Sequence, residues 1–114
     1  NSFAYGHAFE HLVTLEIYKL NQYLAEDYKL SYLRTKDGAE VDLILSRGKE
    51  NILIEIKSSQ VVDEIEVRKL AKFAPAFSKA KLYYLSRDPL KYDIEGVFCR
   101  QWQEGIAEIF HIIP

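Results

Sequence analysis

The chain has 114 residues, of which 48% are hydrophobic and 28% are charged, a balance typical of a globular protein. No apolar run approaches the ~20 residues that span a bilayer, so we expect no membrane partner. The formal net charge of -2 excludes a strongly basic nucleic-acid-binding protein of the histone type, but it is compatible with a local basic groove.

Residues 1–114 are expected to form a single domain, since a chain of this length builds one hydrophobic core. The one cysteine, Cys99, cannot form an internal disulfide, which favours the reducing cytoplasm. The chain begins with Asn1 and contains no methionine, and we therefore expect it to be a fragment of a longer protein.

The first predicted element is a helix from about His7 to about Glu26. Apolar residues recur in this segment at the spacing of one helix face and predict a stripe that packs against a sheet: Phe9, Leu12, Val13, Ile17, Leu20 and Leu24.

Three extended segments follow and predict a β-meander. They are "LSYLRT" from Leu30, "EVDLIL" from Glu40 and "NILIEIK" from Asn51, separated by the turn signals "DG" and "RG". The apolar residues on one face of the second and third segments are expected to pack on helices: Val41, Leu43, Leu45, Ile52, Ile54 and Ile56.

A second helix is predicted after Asp63, which is placed to cap it. This helix carries Ile65, Leu70 and Phe73, and Pro75 ends or kinks it. The segments "KLYYLS" and "EGVFCR" are predicted strands, and the tail "IAEIFHIIP" is also expected to form a strand. The order of elements predicts an α/β fold with a mixed sheet flanked by helices.

Two carboxylates and an ammonium group are expected to converge on the hairpin of the second and third strands. If Gly48 and Lys49 are the central turn residues, Asp42 lies opposite Glu55. Lys57 follows on the same face because side chains alternate along a strand. Opposed carboxylates repel each other, and a hard divalent cation such as Mg²⁺ offsets that repulsion. The alternative is a surface hairpin with a weak ion pair between Glu55 and Lys57.

The residues of this hairpin resemble a known family of nucleases. "EVD" at 40–42 and "IEIKSS" at 54–59 resemble the D…E-x-K pattern of the PD-(D/E)XK, restriction-endonuclease-like enzymes, with Val41 where the named motif has proline. The opening "GHAFE" resembles the first helix of Holliday-junction resolvase relatives. The runs "GHAFEHLVTLEIYKL", "SYLRTKDGAEVDLIL" and "ILIEIKSS" together look like the C-terminal domain of unknown function of bacterial and archaeal AAA+-type ATPases. The likeness covers about residues 3–75.

The resemblance implies a restriction-endonuclease-like core in the order α-β-β-β-α-β, with Mg²⁺ or Mn²⁺ as the cofactor. It implies Asp42 and Glu55 as metal ligands, Lys57 as the catalytic lysine and Glu10 as a further acidic ligand. It also implies DNA as the substrate and an upstream ATPase domain in the same protein. The alternative is an inactive nuclease-fold module that binds nucleic acid or docks on its ATPase, because folds are often retained without their chemistry.

The stretch "GHAFEH" also contains H-x-x-E-H, the motif of one class of zinc metalloproteases. His7 and His11 share a helix face, but both are expected to point away from the apolar stripe into solvent. A zinc peptidase is therefore a remote alternative. Glu10 lies at the margin of the stripe, where it can reach a cleft. Glu16 lies near the centre of the stripe and is the competing helix ligand, because a buried carboxylate needs a partner.

Several basic residues flank the strands of this hairpin: Lys29, Arg34, Lys36, Arg47 and Lys49. Such residues can contact phosphates, but they also protect exposed strand edges, and both interpretations remain open.

Overall fold

The structure is a computed structural model that describes residues 2–113. Its elements are α1 (Ser2–Tyr23), β1 (Lys29–Arg34), β2 (Glu40–Arg47), β3 (Glu50–Ile56), α2 (Glu64–Ala71), β4 (Ala80–Ser86), β5 (Tyr92–Ile94), β6 (Val97–Gln101) and α3 (Trp102–Ile109). The six strands form one sheet in the order β1-β2-β3-β4-β6-β5. The pairs β3–β4 and β4–β6 are parallel and the others are antiparallel.

Helices cover both faces of this sheet. α1 and α3 pack on one face, where Phe9, Val13 and Ile17 of α1 join the core. α2 packs on the opposite face through Val67 and Leu70. The predicted α/β fold with a mixed sheet flanked by helices is confirmed, and the architecture is consistent with a restriction-endonuclease-like fold. Among residues 2–113, no helix has both the length and the apolar character that crossing a membrane requires.

The predicted bounds of the first helix were wrong at both ends, because α1 spans Ser2–Tyr23. Ala25 and Asp27 adopt φ values of 52° and 60°, which an α-helix cannot continue through. The buried Asn21 fixes the exit by accepting from the backbone N–H of Tyr28 and donating to its carbonyl, both at 2.9 Å.

The apolar stripe of α1 is narrower than the sequence predicted. Leu12 and Leu24, which were placed in it, are 44% and 38% exposed. The side chains that reach the sheet recur every three or four residues, so they cover one face of the helix.

The hairpin of β2 and β3 has the predicted register. Arg47 pairs with Glu50 and Leu43 pairs with Ile54, as a turn centred on Gly48 and Lys49 requires. Gly48 has a φ of 60°, which glycine adopts without a steric cost.

Val41 lies on the other face from the one predicted. It joins the core beneath α2, while the other five predicted positions join the core beneath α1. The pairing of β1 with β2 shifts register between Ser31 and Leu33, where two residues of β2, Asp42 and Leu43, stand against one of β1. This β-bulge interrupts the alternation of side chains and moves Val41 across the sheet.

The second helix begins after Asp63 as predicted, but it ends at Ala71, so Phe73 lies beyond it. Asp63 caps α2 by accepting from the N–H of Ile65 at 3.0 Å. Ile65 itself is 68% exposed, so it does not belong to the core. Pro75 lies in a short 3-10 turn beyond the end of α2.

The predicted strand in the tail is wrong, because α3 (Trp102–Ile109) takes in its first four residues. Gln101 caps α3, since its side-chain oxygen accepts from the N–H groups of Gln103 and Glu104 at 3.0 and 3.1 Å. Ile106 and Ile109 are spaced for one helix face, and both are buried. The short strand β5 was not predicted.

Candidate active site

A cleft of about 820 Å³ contains all four residues that the sequence predicted for the site: Glu10, Asp42, Glu55 and Lys57. The N-terminal part of α1, the turn between β1 and β2, and α2 form its walls. We refer to this space as the cleft. The four residues come from α1, β2, β3 and the end of β3, so the fold brings together positions that are up to 47 residues apart in the chain.

Asp42 lies in the bulge of β2. It directly precedes Leu43, whose pair with Ile54 is the pair of the β2–β3 ladder farthest from the turn. Its carboxylate oxygen Oδ2 accepts from the backbone N–H of Ile56 at 2.9 Å. This bond orients Asp42 across the end of β3, where its carboxyl group also contacts that of Glu55. Bulges often redirect a side chain next to an active site, and this one places a carboxylate at the bottom of the cleft.

Glu55 is the most buried of the four residues, with 8% of its surface exposed. Burial, together with the charge of Asp42 and a hydrogen bond to it, raises the pKa of Glu55 to about 8. Glu55 therefore keeps its proton at neutral pH unless a cation replaces it.

Lys57 stays charged beside these carboxyl groups. Its Nζ lies 3.4 Å from Oε2 of Glu55, and 40% of the lysine side chain is exposed. Burial lowers the pKa of Lys57, but the carboxylates of Glu55, Glu66 and Asp42 outweigh it and hold the pKa above its usual value. The group is thus an ammonium donor at neutral pH and not a free base.

Glu10 reaches the same cleft from α1. Burial and the neighbouring charge of Asp42 raise its pKa. Glu16 does not line the cleft, so the geometry favours Glu10 as the helix residue of this site. Within residues 2–113, no three His, Cys, Asp or Glu side chains are grouped closely enough to hold a metal ion. Glu10 is therefore a neighbour of the Asp42–Glu55 pair and does not form a three-ligand cage with it.

Residues 5–102 match the family described as Domain of unknown function (DUF4143). The chain belongs to the DUF4143 family. It is also similar to a UPF0102 protein of Methylobacterium nodulans (strain LMG 21967 / CNCM I-2342 / ORS 2060), with 27% identity over 116 residues that cover 96% of this chain and 85% of the relative. All four candidate residues fall within the part of the chain that matches the family.

The two histidines of H-x-x-E-H are both exposed in this DUF4143 chain. His7 packs its ring on Phe3, with 4.6 Å between the ring centroids. No third ligand joins His7 and His11 among the residues that the structure describes, so the geometry gives a zinc peptidase no support.

The backbone after β3 of the DUF4143 chain is held by the neighbouring strand. The N–H of Lys57 donates to the carbonyl of Leu85 at 2.9 Å, and the N–H of Arg87 donates to the carbonyl of Ser59 at 3.0 Å. The parallel ladder of β3 and β4 therefore continues past both strand ends and fixes the main chain at Lys57.

Sequence reasoning missed the side chains that α2 contributes to the cleft. Glu66, Lys69 and Lys72 line it opposite α1, and the charge of Glu66 acts on Lys57. The only signal for them was their place on the exposed face of a predicted helix, which does not indicate what that face meets.

Of the five basic residues flagged in the sequence, Arg34 lines the cleft of the DUF4143 chain. Arg47 is engaged elsewhere, because its Nη1 donates to the carbonyl and the carboxylate of Glu26 at 2.7 and 2.8 Å. Its guanidinium also stacks on the ring of Tyr28, 4.1 Å from the centroid. Arg47 thus holds the connection between α1 and β1.

Proposed function

We propose that this DUF4143 domain is a Mg²⁺- or Mn²⁺-dependent nuclease that hydrolyses phosphodiester bonds of DNA. The observation that carries the proposal is the contact of Asp42 with Glu55 in one cleft with Lys57 and Glu10. Two adjacent carboxyl groups in a cleft, one of which keeps its proton at neutral pH, are suited to exchanging that proton for a cation.

The donor chemistry fits a hard cation. Asp42 and Glu55 offer only oxygen atoms, and Mg²⁺ is commonly held by one or two carboxylates together with waters. These two residues would hold the cation, with Glu10 adjacent to them. When bound, such a cation polarises a phosphoryl oxygen and lowers the pKa of a water.

The protein's own side chains supply orientation and charge. Asp42 is fixed by the N–H of Ile56, so its carboxylate needs no rearrangement. Lys57 holds an ammonium next to Glu55, where it can donate to a phosphate oxygen as negative charge develops. The rigid main chain at Lys57 keeps this donor in place.

The proposal includes an upstream AAA+-type ATPase in the same protein. Its support is the resemblance of "GHAFEHLVTLEIYKL", "SYLRTKDGAEVDLIL" and "ILIEIKSS" to domains attached to such ATPases. An attached motor would hold DNA near the cleft, which raises the effective concentration of substrate.

The decisive experiment is cleavage by Lys57→Ala. We expect turnover to fall ~10²-fold or more, the effect of losing one transition-state donor, while metal binding is retained. Labelled duplex, flap, junction and single-stranded DNA should be tested with Mg²⁺, using the domain joined to its ATPase. Lys49→Ala, in the hairpin turn outside the cleft, is the control and should cleave normally.

An inactive nuclease-fold module is the second candidate. It is favoured by the lack of a three-ligand group within residues 2–113. If the joined wild-type protein cleaves none of these substrates and Lys57→Ala preserves its role in cells, the module binds or docks without hydrolysis.

A further inference from the structure

Phe3 lies at the mouth of the cleft with 76% of its surface exposed. Its ring is tilted by 59° against the imidazole of His7, which lines the same cleft. A single exposed aromatic residue is ordinary on a protein surface. This one, however, borders the space that contains Asp42 and Glu55.

Three long basic side chains also border the cleft. Lys69 lies in α2, Lys72 directly follows α2 and Arg34 is the last residue of β1. Arg34 and Lys69 form ion pairs with Glu40 and Glu66 at 3.8 and 3.3 Å, but their side chains are still 67% and 64% exposed. Lys72 forms no ion pair within residues 2–113, so its charge is available to a ligand.

Charge alone does not account for binding of a polyanion in this cleft. Six carboxyl groups line the cleft: Glu10, Asp37, Glu40, Asp42, Glu55 and Glu66. Only four lysine and arginine side chains line it: Arg34, Lys57, Lys69 and Lys72. Proteins that bind single strands combine a basic groove with aromatic rings on which bases stack. The exposed ring of Phe3 supplies that second contribution.

We propose that the cleft accepts an unpaired DNA strand, with a base stacked on Phe3 and phosphates on Lys69 and Lys72. The inference rests on the proposed function, because it names the substrate class of the same cleft. In a duplex the base faces are covered by their neighbours along the helix. An exposed ring therefore finds a free base face in a single strand or a flap, and not within paired DNA.

Binding tests this inference separately from cleavage. Ca²⁺ can replace Mg²⁺ because it takes the same oxygen ligands. Fluorescence anisotropy would then compare a labelled single strand of roughly 15 nucleotides with the duplex of the same sequence. We expect Phe3→Ala to weaken single-strand binding by about 10-fold or more, the loss of one stacked base. Duplex affinity should change little, and Phe3→Trp should restore single-strand binding.

Tyr23→Ala is the matched control. Tyr23 is 86% exposed at the opposite end of α1 and does not line the cleft. Its removal should leave both affinities unchanged. Equal affinity of wild type and Phe3→Ala for the single strand, or an equal loss for single strand and duplex, overturns the inference. Tight single-strand binding without Mg²⁺-dependent cleavage would instead overturn the nuclease activity alone.

Discussion

Glu55 carries the chemistry that most distinguishes this cleft from an ordinary sheet surface. Its pKa of about 8 lies above the usual 4.5 because the carboxyl group is buried beside Asp42. A carboxyl group whose pKa is higher in the folded than in the unfolded protein favours the folded state at low pH. That contribution is lost as pH rises from near 4.5 through about 8.

Glu55→Gln should remove this dependence. With divalent metal removed by a chelator, the free energy of unfolding of the wild type should fall more than that of Glu55→Gln between pH 5 and pH 8.5. The reason is that the amide of glutamine does not ionise. Urea unfolding at several pH values measures the difference. Glu50→Gln, on the same strand but with a 58% exposed side chain, should follow the wild type. Parallel curves for wild type and Glu55→Gln would mean that Glu55 is ionised throughout.

Metal binding should stabilise the fold through Asp42. A ligand that binds only the folded state raises the melting temperature by mass action, so saturating Mg²⁺ or Mn²⁺ should raise it in the wild type. Asp42→Asn should abolish most of this rise, whereas Asp37→Asn, on the cleft wall, should keep it. An unchanged response of Asp42→Asn in thermal melts would locate the metal elsewhere.

The sequence predicted the central residues of the cleft because short-range rules determine them. The turn at Gly48 and Lys49 sets the register of the hairpin, and alternation along β3 puts Lys57 beside Glu55. The contribution of α2 was not predictable in this way. Lys69 and Lys72 reach the cleft only because α2 crosses the sheet at a particular angle, which depends on packing across the whole core.

At the scale of elements, α3 depends on Gly105 for its close approach to the sheet. A Cβ at this position would overlap the side chain of Leu85 and lie 3.2 Å from Cβ of Arg100. Gly105→Ala should therefore cost about 1–3 kcal/mol in unfolding free energy, the usual effect of overpacking. Urea denaturation measures it.

Gly6→Ala is the matched comparison within a helix. The nearest atom to a Cβ at Gly6 is Oγ of Ser58, at 3.7 Å, which is ordinary contact. The added methyl should stabilise α1 by about 0.5–1 kcal/mol, because alanine loses less backbone entropy than glycine in a helix. If both variants changed stability in the same direction, the packing argument for Gly105 would not hold.

Two elements differed from their predictions for different reasons. The isoleucines of "IAEIFHIIP" favour a strand by propensity, but the cap at Gln101 and the helical spacing of Ile106 and Ile109 prevail. The bulge in β2 depends on how β1 pairs with β2, and no residue typical of turns in "EVDLIL" indicates a bulge. Local capping and spacing decided the first, and pairing between strands decided the second.

At the scale of the whole molecule, nucleic-acid binding should respond to salt through the rim lysines. Lys72→Gln removes one phosphate contact, so it should weaken single-strand and duplex binding alike. It should also reduce the slope of log affinity against log salt by about 0.7–0.9. Titrations at several salt concentrations measure this slope.

The salt slope also separates charge from stacking. Phe3→Ala should leave it unchanged, because an aromatic ring releases no counterions. Lys49→Gln, in the turn outside the cleft, should alter neither affinity nor slope. An unaltered salt slope in Lys72→Gln would mean that the bound strand does not contact Lys72.

The β3–β4 ladder continues past Lys57, so the bottom of the cleft is held more firmly than its mouth. The Lys57 amide is bonded to Leu85 within the central sheet, so it can exchange its hydrogen only when that part of the sheet opens. Phe3, by contrast, keeps 76% of its surface in solvent at the mouth of the cleft, so few neighbours restrain its side chain. Exposed side chains at the mouth of the cleft can therefore adjust to an entering strand while the main chain that carries Lys57 stays in place.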